Sequence, residues 1–195
     1  MPLILPKTGI YELEEKRSKF LGRCGPVQSK DEALAFIEET RSVHRGANHN
    51  VFAYSIRESN IIRFSDDGEP GGTAGMPVLN VFQKAGIINF VCVVTRYFGG
   101  TLLGAGGLVR AYTKAAKGAM EAAGPEELVI SKLYKVTCAY PQLDKLKYNF
   151  EKWGIEVLEW AYTDQVDATV RVREEQAGDF LEAGFYKIED LPKQA

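Results

Sequence analysis

The segment from Arg96 to Arg110, RYFGGTLLGAGGLVR, constrains this chain more than any other. It places five glycines between two arginines and joins an apolar, β-branched run to a helix-like pattern. Glycine loses the most conformational freedom on folding, so such a cluster indicates a backbone that turns tightly or approaches another group closely. Free N–H groups at the start of the following helix suit an anion. The sequence therefore predicts a strand, a glycine-rich loop and a helix with an anion-accepting end.

The length of 195 residues allows one ordinary domain or two small ones, and a hydrophobic content of 45% is ample for a core. No apolar run approaches the roughly 20 residues that span a bilayer. The apolar stretch at the N-terminus is too short for a signal peptide. We therefore expect a soluble, cytoplasmic protein with no membrane partner.

The first part of the chain reads as alternating strands and helices. Ser29 and Glu32 form a capping box ahead of a helix expected to bury Ala33, Leu34, Phe36 and Ile37. The predicted strands cover residues 17–24, 50–57, 61–65 and 89–95. The predicted helices cover residues 30–43, 76–84 and 107–123, the last packed closely through its alanines.

The remaining residues have a different pattern. Strands are predicted over 133–139, 155–163, 166–173 and 185–189, with helices over 142–153 and 174–183. This β-α-β-β-α-β order is typical of a ferredoxin-like domain. The fold class is therefore α+β, with one domain over 1–128 and a second over 129–195. The first carries a net charge of +1 and the second −3, so a polyanion site is expected in the first.

Two well-known phosphate loops are excluded by residue type. Ala105 and Gly106 stand where a Walker A loop needs lysine and serine or threonine. The third glycine of a dinucleotide fingerprint would fall at Val109. An anion-accepting helix start flanked by arginines remains. The candidate phosphate or nucleic-acid ligands are Arg96, Tyr97, Gly99, Gly100, Gly104, Gly106, Gly107, Arg110 and Lys114.

A packing explanation of the same loop stays open. In it, Tyr97 and Phe98 are core residues, the glycines permit close helix packing, and both arginines pair with the acidic segment of residues 66–69. That segment, the acidic loop, contains Asp66, Asp67 and Glu69. Its carboxylates suit a hard cation but lack the register of an EF-hand, so turn geometry or a bridge to Arg96, Arg110 or Arg63 is favoured.

Other polar candidates are few. Thr73 is expected to cap the helix after the acidic loop, and His49 and Arg63 are expected to support the site. The cysteines, Cys24, Cys92 and Cys138, lie in apolar runs and are expected to be buried, reduced thiols. No cofactor is predicted, and no metal site beyond the open possibility at the acidic loop.

Two blocks together resemble a known family. They are RFSDDGEPGGTAGMPVL (63–79) and VVTRYFGGTLLGAGGLVRAY (93–112). In this order and spacing they resemble the bacterial YigZ/YvyE branch of the IMPACT family. The resemblance implies a first domain with the fold of ribosomal protein S5 domain 2 and a ferredoxin-like second domain. That pair is similar to two domains of the translocase elongation factor, which act on the ribosome.

Two functions remain. The favoured one is a non-enzymatic module that contacts RNA, the ribosome or another phosphate-bearing partner and is linked to the regulation of translation. It would bind phosphate through Arg96, Arg110, Lys114 and backbone N–H groups. Lys117 would extend this basic patch. The alternative is an enzyme or ligand-binding protein for a small phosphorylated or nucleotide substrate, in which Asp66, Asp67 or Glu69 holds a metal or acts as base. The oligomeric state stays open.

Overall fold

A computed structural model describes residues 2–182 and 186–191. The chain divides into two compact units, Met1–Leu128 and Val129–Ala195. Both units combine helices with an antiparallel sheet, which agrees with the predicted α+β class. The finer assignments, S5 domain 2-like and ferredoxin-like, stay predictions.

The first unit is built on a five-stranded antiparallel sheet of order β2-β3-β6-β4-β5. Its elements are β1 (Leu3–Ile4), β2 (Gly9–Glu15), β3 (Ser18–Pro26), α1 (Lys30–Val43), β4 (His49–Ile56), β5 (Ile61–Ser65), α2 (Gly75–Lys84), β6 (Phe90–Tyr97), α3 (Ala105–Ala123) and β7 (Glu126–Glu127). The short strands β1 and β7 pair separately.

Strand β6 is the centre of this sheet because its apolar, β-branched residues are covered on both faces. Cys92 and Val94 pack in the cluster that contains α2 and α3, whereas Val91 and Val93 pack with α1. The strand begins after Asn89, whose φ of 52° is left-handed. It runs to Tyr97, so the start of the predicted loop is part of the strand.

Helix α3 lies directly on β2 and β3. A Cβ atom on Gly9 would stand 2.1 Å from the carbonyl oxygen of Ala119, and one on Gly22 would stand 2.5 Å from that of Ala115. The helix presents buried alanines to these glycines. The predicted close packing through alanine is therefore confirmed.

The first unit contains one strand that was not predicted and one side chain whose burial was predicted wrongly. Strand β2 was not predicted, although Tyr11 and Leu13, which face the core, alternate with exposed residues of the strand. Leu34 was expected to be inward, yet it is 44% exposed. Only the face of α1 that carries Ala33 and Ile37 is buried against the sheet.

The second unit has the β-α-β-β-α-β order and a four-stranded antiparallel sheet of order β11-β8-β10-β9. Its elements are β8 (Ser131–Cys138), α4 (Leu143–Trp153), β9 (Glu156–Tyr162), β10 (Val166–Arg173), α5 (Ala177–Glu182) and β11 (Lys187–Leu191). Short 3-10 turns precede both helices. The predicted end of the last helix at residue 183 and the predicted start of the last strand at residue 185 lie outside the described residues.

Candidate functional site

Asp66 of the acidic loop caps helix α2. Its Oδ1 accepts hydrogen bonds from the N–H groups of Ala74 at 3.0 Å and Gly75 at 2.8 Å, and its Oδ2 accepts one from Gly72 at 2.9 Å. Burial raises the pKa of this carboxyl, but the three backbone N–H groups outweigh burial and lower it below the ordinary 3.8. Asp66 therefore stabilises a helix start.

Asp67 ties the acidic loop to the sheet and to α1. Its Oδ2 accepts the N–H of Asn50 at 2.6 Å, and its Oδ1 accepts Nη2 of Arg41 at 3.0 Å. Its oxygens, like those of Asp66, are thus used within the fold. Among the residues that the structure describes, no three His, Cys, Asp or Glu side chains are grouped so as to hold a metal.

Glu69 is the centre of a buried network. Its Oε1 accepts Nη1 of Arg96 at 2.6 Å and the hydroxyl of Tyr112 at 2.7 Å. The Glu69 side chain is 3% exposed and that of Arg96 is 6% exposed. Burial and the hydrogen bond to Glu69 raise the pKa of Tyr112 well above its ordinary value of 10. Arg96 therefore pairs with the acidic loop, as the packing explanation expected.

The guanidinium of Arg96 is only partly satisfied. It lies between the rings of Phe20 and Phe98, with centroid distances of 5.4 Å and 5.5 Å. Its Nη2 reaches Ser18 Oγ only at 3.5 Å, and its buried Nε has no hydrogen-bond partner in the described part of the chain. Donor capacity thus remains at this buried arginine. Phe98 itself is 44% exposed.

His49 is held in one tautomer by the acidic loop. Its Nδ1 lies 2.8 Å from the main-chain oxygen of Asp67. Because a carbonyl oxygen only accepts, Nδ1 carries a proton. The other ring nitrogen, Nε2, is 3.9 Å from Glu69 Oε1, which is too long for a hydrogen bond.

The glycine-rich loop follows β6 and passes close to the β2–β3 turn. A Cβ atom on Gly99 would stand 2.0 Å from the carbonyl group of Arg17, so only glycine fits there. Gly100 and Gly104 have φ values of 81° and 70°, which favour glycine. These residues shape the path of the chain into α3.

The start of helix α3 has no cap. Its N-cap residue, Gly104, has no side chain to accept a bond, and the first helical hydrogen bond runs from Leu108 N to Gly104 O at 3.0 Å. No described group accepts the N–H groups of Ala105, Gly106 and Gly107. The predicted free N–H groups at the helix start are therefore present, and their binding of an anion stays a prediction.

The acidic loop and the glycine-rich loop enclose a cavity of about 390 Å³, which we call the loop cavity. It combines polar groups at its strand side with an apolar wall. The residues that line it are Asn48, His49, Glu69, Pro70, Arg96, Phe98, Leu102, Leu103, Gly104, Ala105 and Leu108.

A second pocket of about 260 Å³ lies along the first turns of α3. It is lined by Glu15, Lys16, Leu103, Gly107, Arg110, Ala111 and Lys114. Lys16, Arg110 and Lys114 are exposed. We call these three residues the cationic surface. No ion pair joins any of them to an acid of the described residues, so the predicted bridge from Arg110 to the acidic loop is wrong.

Other candidates lie outside both pockets. The Tyr97 hydroxyl is 2.9 Å from Nδ1 of His44. Arg63, on the edge strand β5, donates from Nη1 to the main-chain oxygen of Ile62 at 2.8 Å. The structure therefore does not bring Arg63 to the site.

Thr73 does not cap α2, contrary to prediction. Its Oγ1 donates to the Pro70 carbonyl oxygen at 2.7 Å, and the N-cap residue is Ala74. Lys117 forms an ion pair with Glu121 at 3.6 Å, one turn along α3.

Sequence reasoning missed Lys16 and Asn48. Lys16 was missed because β2, the strand that precedes its turn, was not predicted, so nothing placed it beside α3. Asn48 accepts the N–H of Phe98 at 2.8 Å through Oδ1 and lines the loop cavity. Its position in the polar run before β4 is the only signal that the sequence offered.

The three cysteines are free and buried, as predicted. Burial raises the pKa of Cys24 to about 12 and raises that of its cross-strand neighbour Cys92 well above 9. Thiols that stay protonated are poor nucleophiles, so neither belongs to a reactive site.

The fold and its loops define a two-unit α+β protein in which a glycine-rich loop meets an acidic loop. The Impact N-terminal domain profile matches residues 16–120, and a domain of unknown function, DUF1949, matches residues 136–183. The chain belongs to the IMPACT family. The resemblance predicted from the two sequence blocks is thus confirmed.

Relatives match over most of the chain. The IMPACT family member YvyE of Bacillus subtilis is 34% identical over 177 residues, which cover 90% of this chain and 82% of YvyE. YigZ of Escherichia coli is 35% identical over 72% of this chain and 71% of YigZ. A crystal structure of a hypothetical protein is 28% identical, covers 98% of both chains and superposes with a TM-score of 0.63. Across the described residues, no helix is long and apolar enough to cross a membrane.

Proposed function

We propose that this protein is a non-enzymatic binding module for a phosphate-bearing partner, RNA or a ribosomal component, and that it is linked to the regulation of translation. The observation that carries the proposal is the cationic surface. Arg110 and Lys114 lie on successive turns of α3, beside Lys16 and next to an uncapped helix start. Exposed cations without acidic partners are what a phosphate backbone requires.

The geometry changes which residues carry this function. Arg96 was expected to grip a phosphate, but its buried pair with Glu69 removes it from the surface. The phosphate contacts are therefore assigned to Lys16, Arg110 and Lys114. The link to translation rests on membership of the IMPACT family. The resemblance to that family implies two domain folds that are similar to two domains of the translocase elongation factor.

The metal-assisted enzyme gains no comparable support. Asp66 and Asp67 already accept backbone N–H groups, and Glu69 is paired with Arg96. A metal would have to compete with these bonds. No second function is proposed at the acidic loop.

The test is the salt dependence of RNA binding. Fluorescence anisotropy with a labelled single-stranded RNA should show affinity falling steeply with salt. The double variant Arg110→Ala/Lys114→Ala should weaken binding about tenfold or more at low salt and reduce the slope of log K against log salt by about 1–2.

The matched control is Arg57→Ala/Lys84→Ala, which removes the same charge from exposed positions elsewhere. It should leave the slope nearly unchanged. An equal loss of RNA affinity in both double variants would contradict the proposal. An RNA affinity that does not change with salt concentration would also contradict it.

A further inference from the structure

The loop cavity is separate from the cationic surface and has a different chemistry. The two pockets share only Leu103 among their lining residues. The cationic surface carries exposed charged side chains, whereas the loop cavity combines polar groups, two of them buried, with an apolar wall. A volume of about 390 Å³ is within the range of small-molecule sites.

Hydrogen-bond donors meet at the cavity from the helix side. Gly104 and Ala105 line it, and the N–H groups of the first turn of α3 have no acceptor among the described residues. Aligned peptide dipoles add partial positive charge at this end of a 19-residue helix. This arrangement is the usual way in which a helix start accepts an oxyanion.

Arg96 supplies an independent observation on the strand side. It lines the cavity while only 5% exposed, and its Nε is buried without any partner in the described part of the chain. Its Nη2 is also only weakly satisfied, because Ser18 Oγ lies 3.5 Å away. Glu69 neutralises the charge of Arg96 but satisfies only one of its donors well.

His49 presents its second nitrogen to the same cavity. Nδ1 is occupied by the main-chain oxygen of Asp67, so Nε2 is the nitrogen available to a ligand. It makes no hydrogen bond within the described residues, since Glu69 Oε1 is 3.9 Å away. His49 is thus oriented before any ligand arrives.

The rest of the lining is apolar and reaches the surface. Leu102, Leu103 and Leu108 form a wall with Phe98. Leu102 is 81% exposed and Phe98 is 44% exposed, so this wall extends to the protein surface. A bare inorganic ion would leave this wall unused, whereas an organic group would cover it.

We propose that the loop cavity binds a small organic phosphomonoester. The phosphate lies at the N-terminus of α3 and accepts hydrogen bonds from that helix start and from the Arg96 guanidinium, whereas a P–O–H group of the monoanion donates to His49 Nε2. The organic part contacts the wall of Leu102, Leu103 and Leu108. This site does not depend on RNA binding at the cationic surface.

Isothermal titration calorimetry with ribose 5-phosphate, ribose and inorganic phosphate tests the proposal on the full chain. Ribose 5-phosphate should bind more tightly than inorganic phosphate, and ribose should give no binding. Equal affinity for the sugar phosphate and inorganic phosphate would overturn the proposal, because the wall would then contribute nothing. The absence of any heat with the sugar phosphate would also overturn it.

Two variants locate the binding. Leu102→Glu places a carboxylate at the exposed rim and should weaken binding of ribose 5-phosphate about tenfold. His49→Asn keeps a donor near the position of Nδ1 but removes Nε2, and should cost about tenfold through one charge-assisted hydrogen bond. The control Leu34→Glu adds the same charge at an exposed position of α1 and should change nothing.

The outcomes separate this site from the proposed function. Leu102→Glu should weaken ribose 5-phosphate binding about tenfold while RNA affinity falls no more than in Leu34→Glu. Arg110→Ala/Lys114→Ala should do the reverse. Unchanged ribose 5-phosphate binding in both Leu102→Glu and His49→Asn would overturn the assignment to the loop cavity, whatever the RNA result.

Discussion

Asp66, Asp67 and Glu69 stand within four residues of one another, yet each stabilises a different part of the first unit. Asp66 caps α2, Asp67 joins the loop to β4 and α1, and Glu69 neutralises a buried arginine. Their contributions to the free energy of unfolding therefore differ. Removing one partner of a buried ion pair costs about 3–5 kcal/mol, whereas losing a helix cap costs about 1 kcal/mol.

Asp66 gives a prediction about pH. Its pKa is lower in the folded protein than its ordinary 3.8, so the stability it contributes is present above that value and is lost as pH falls through the folded pKa. Asp66→Asn loses the charge and one oxygen acceptor. We expect a loss of about 1 kcal/mol at neutral pH, and a smaller difference from wild type below pH of about 4. Urea unfolding at several pH values measures both.

The control for this prediction is Asp31→Asn. Asp31 is exposed in the first turn of α1, where Ser29 supplies the side-chain cap. The variant should cost only a few tenths of a kcal/mol through the helix dipole. A loss at Asp66 no larger than that at Asp31, or one independent of pH, would contradict the capping role.

The sequence identified the three acidic residues of the acidic loop as site candidates, but it did not identify most of the groups that they contact. Asp66 reaches an N–H group eight residues further along the chain, and Glu69 pairs with an arginine 27 residues away. Such contacts depend on how β5, α2 and β6 pack, which no local pattern encodes. The prediction that some bridge joins the two loops was right for Arg96. For Arg110 it was wrong, because that residue lies on the outer side of α3.

The β2–β3 hairpin turn is built from Lys16 and Arg17, which have φ values of 47° and 65°. Two-residue hairpin turns of this kind favour Asn-Gly, because left-handed backbone costs other residues about 1 kcal/mol each. Neither side chain is buried, so packing does not explain the choice. Lys16 belongs to the cationic surface, so we infer that the contribution of this turn is its charge.

This inference predicts opposite changes in stability and binding. Lys16→Asn/Arg17→Gly should stabilise the chain by about 1–2 kcal/mol, because the turn is relieved of strain. It should also weaken binding of single-stranded RNA and reduce the salt slope. Chemical unfolding and anisotropy on the same sample measure the two effects. A stabilised variant with unchanged RNA affinity would show that the two residues do not contact the partner.

Elements with one strong local signal were predictable. Strand β6 is apolar throughout, and α3 repeats alanine at helical spacing on its buried face. Strand β2 carries the period-2 alternation of a half-buried strand, but only Tyr11 and Leu13 supply its apolar side chains, and so short a signal was missed. The uncapped start of α3 was predicted correctly, since the glycines before it lack any capping side chain.

The two units differ in charge as well as in fold. The first carries +1 and contains both pockets of the candidate site, whereas the second carries −3. Each has its own hydrophobic core, with no residue shared between the clusters. A unit with its own core is expected to fold when separated from the rest of the chain. The proposed division at residues 128 and 129 therefore has a functional consequence.

A fragment of residues 2–128 should fold and bind single-stranded RNA at least as tightly as the full chain. The reason is that the cationic surface lies entirely within it and the removed residues repel a polyanion. Circular dichroism checks the fold, and anisotropy at low salt measures the affinity. The fragment of residues 129–195 is the matched control and should not bind. If the first fragment folds but binds RNA much more weakly than the full chain, part of the RNA contact lies on the second unit. Cations of that unit, such as Lys132 or Arg173, would then contact RNA despite its net charge of −3.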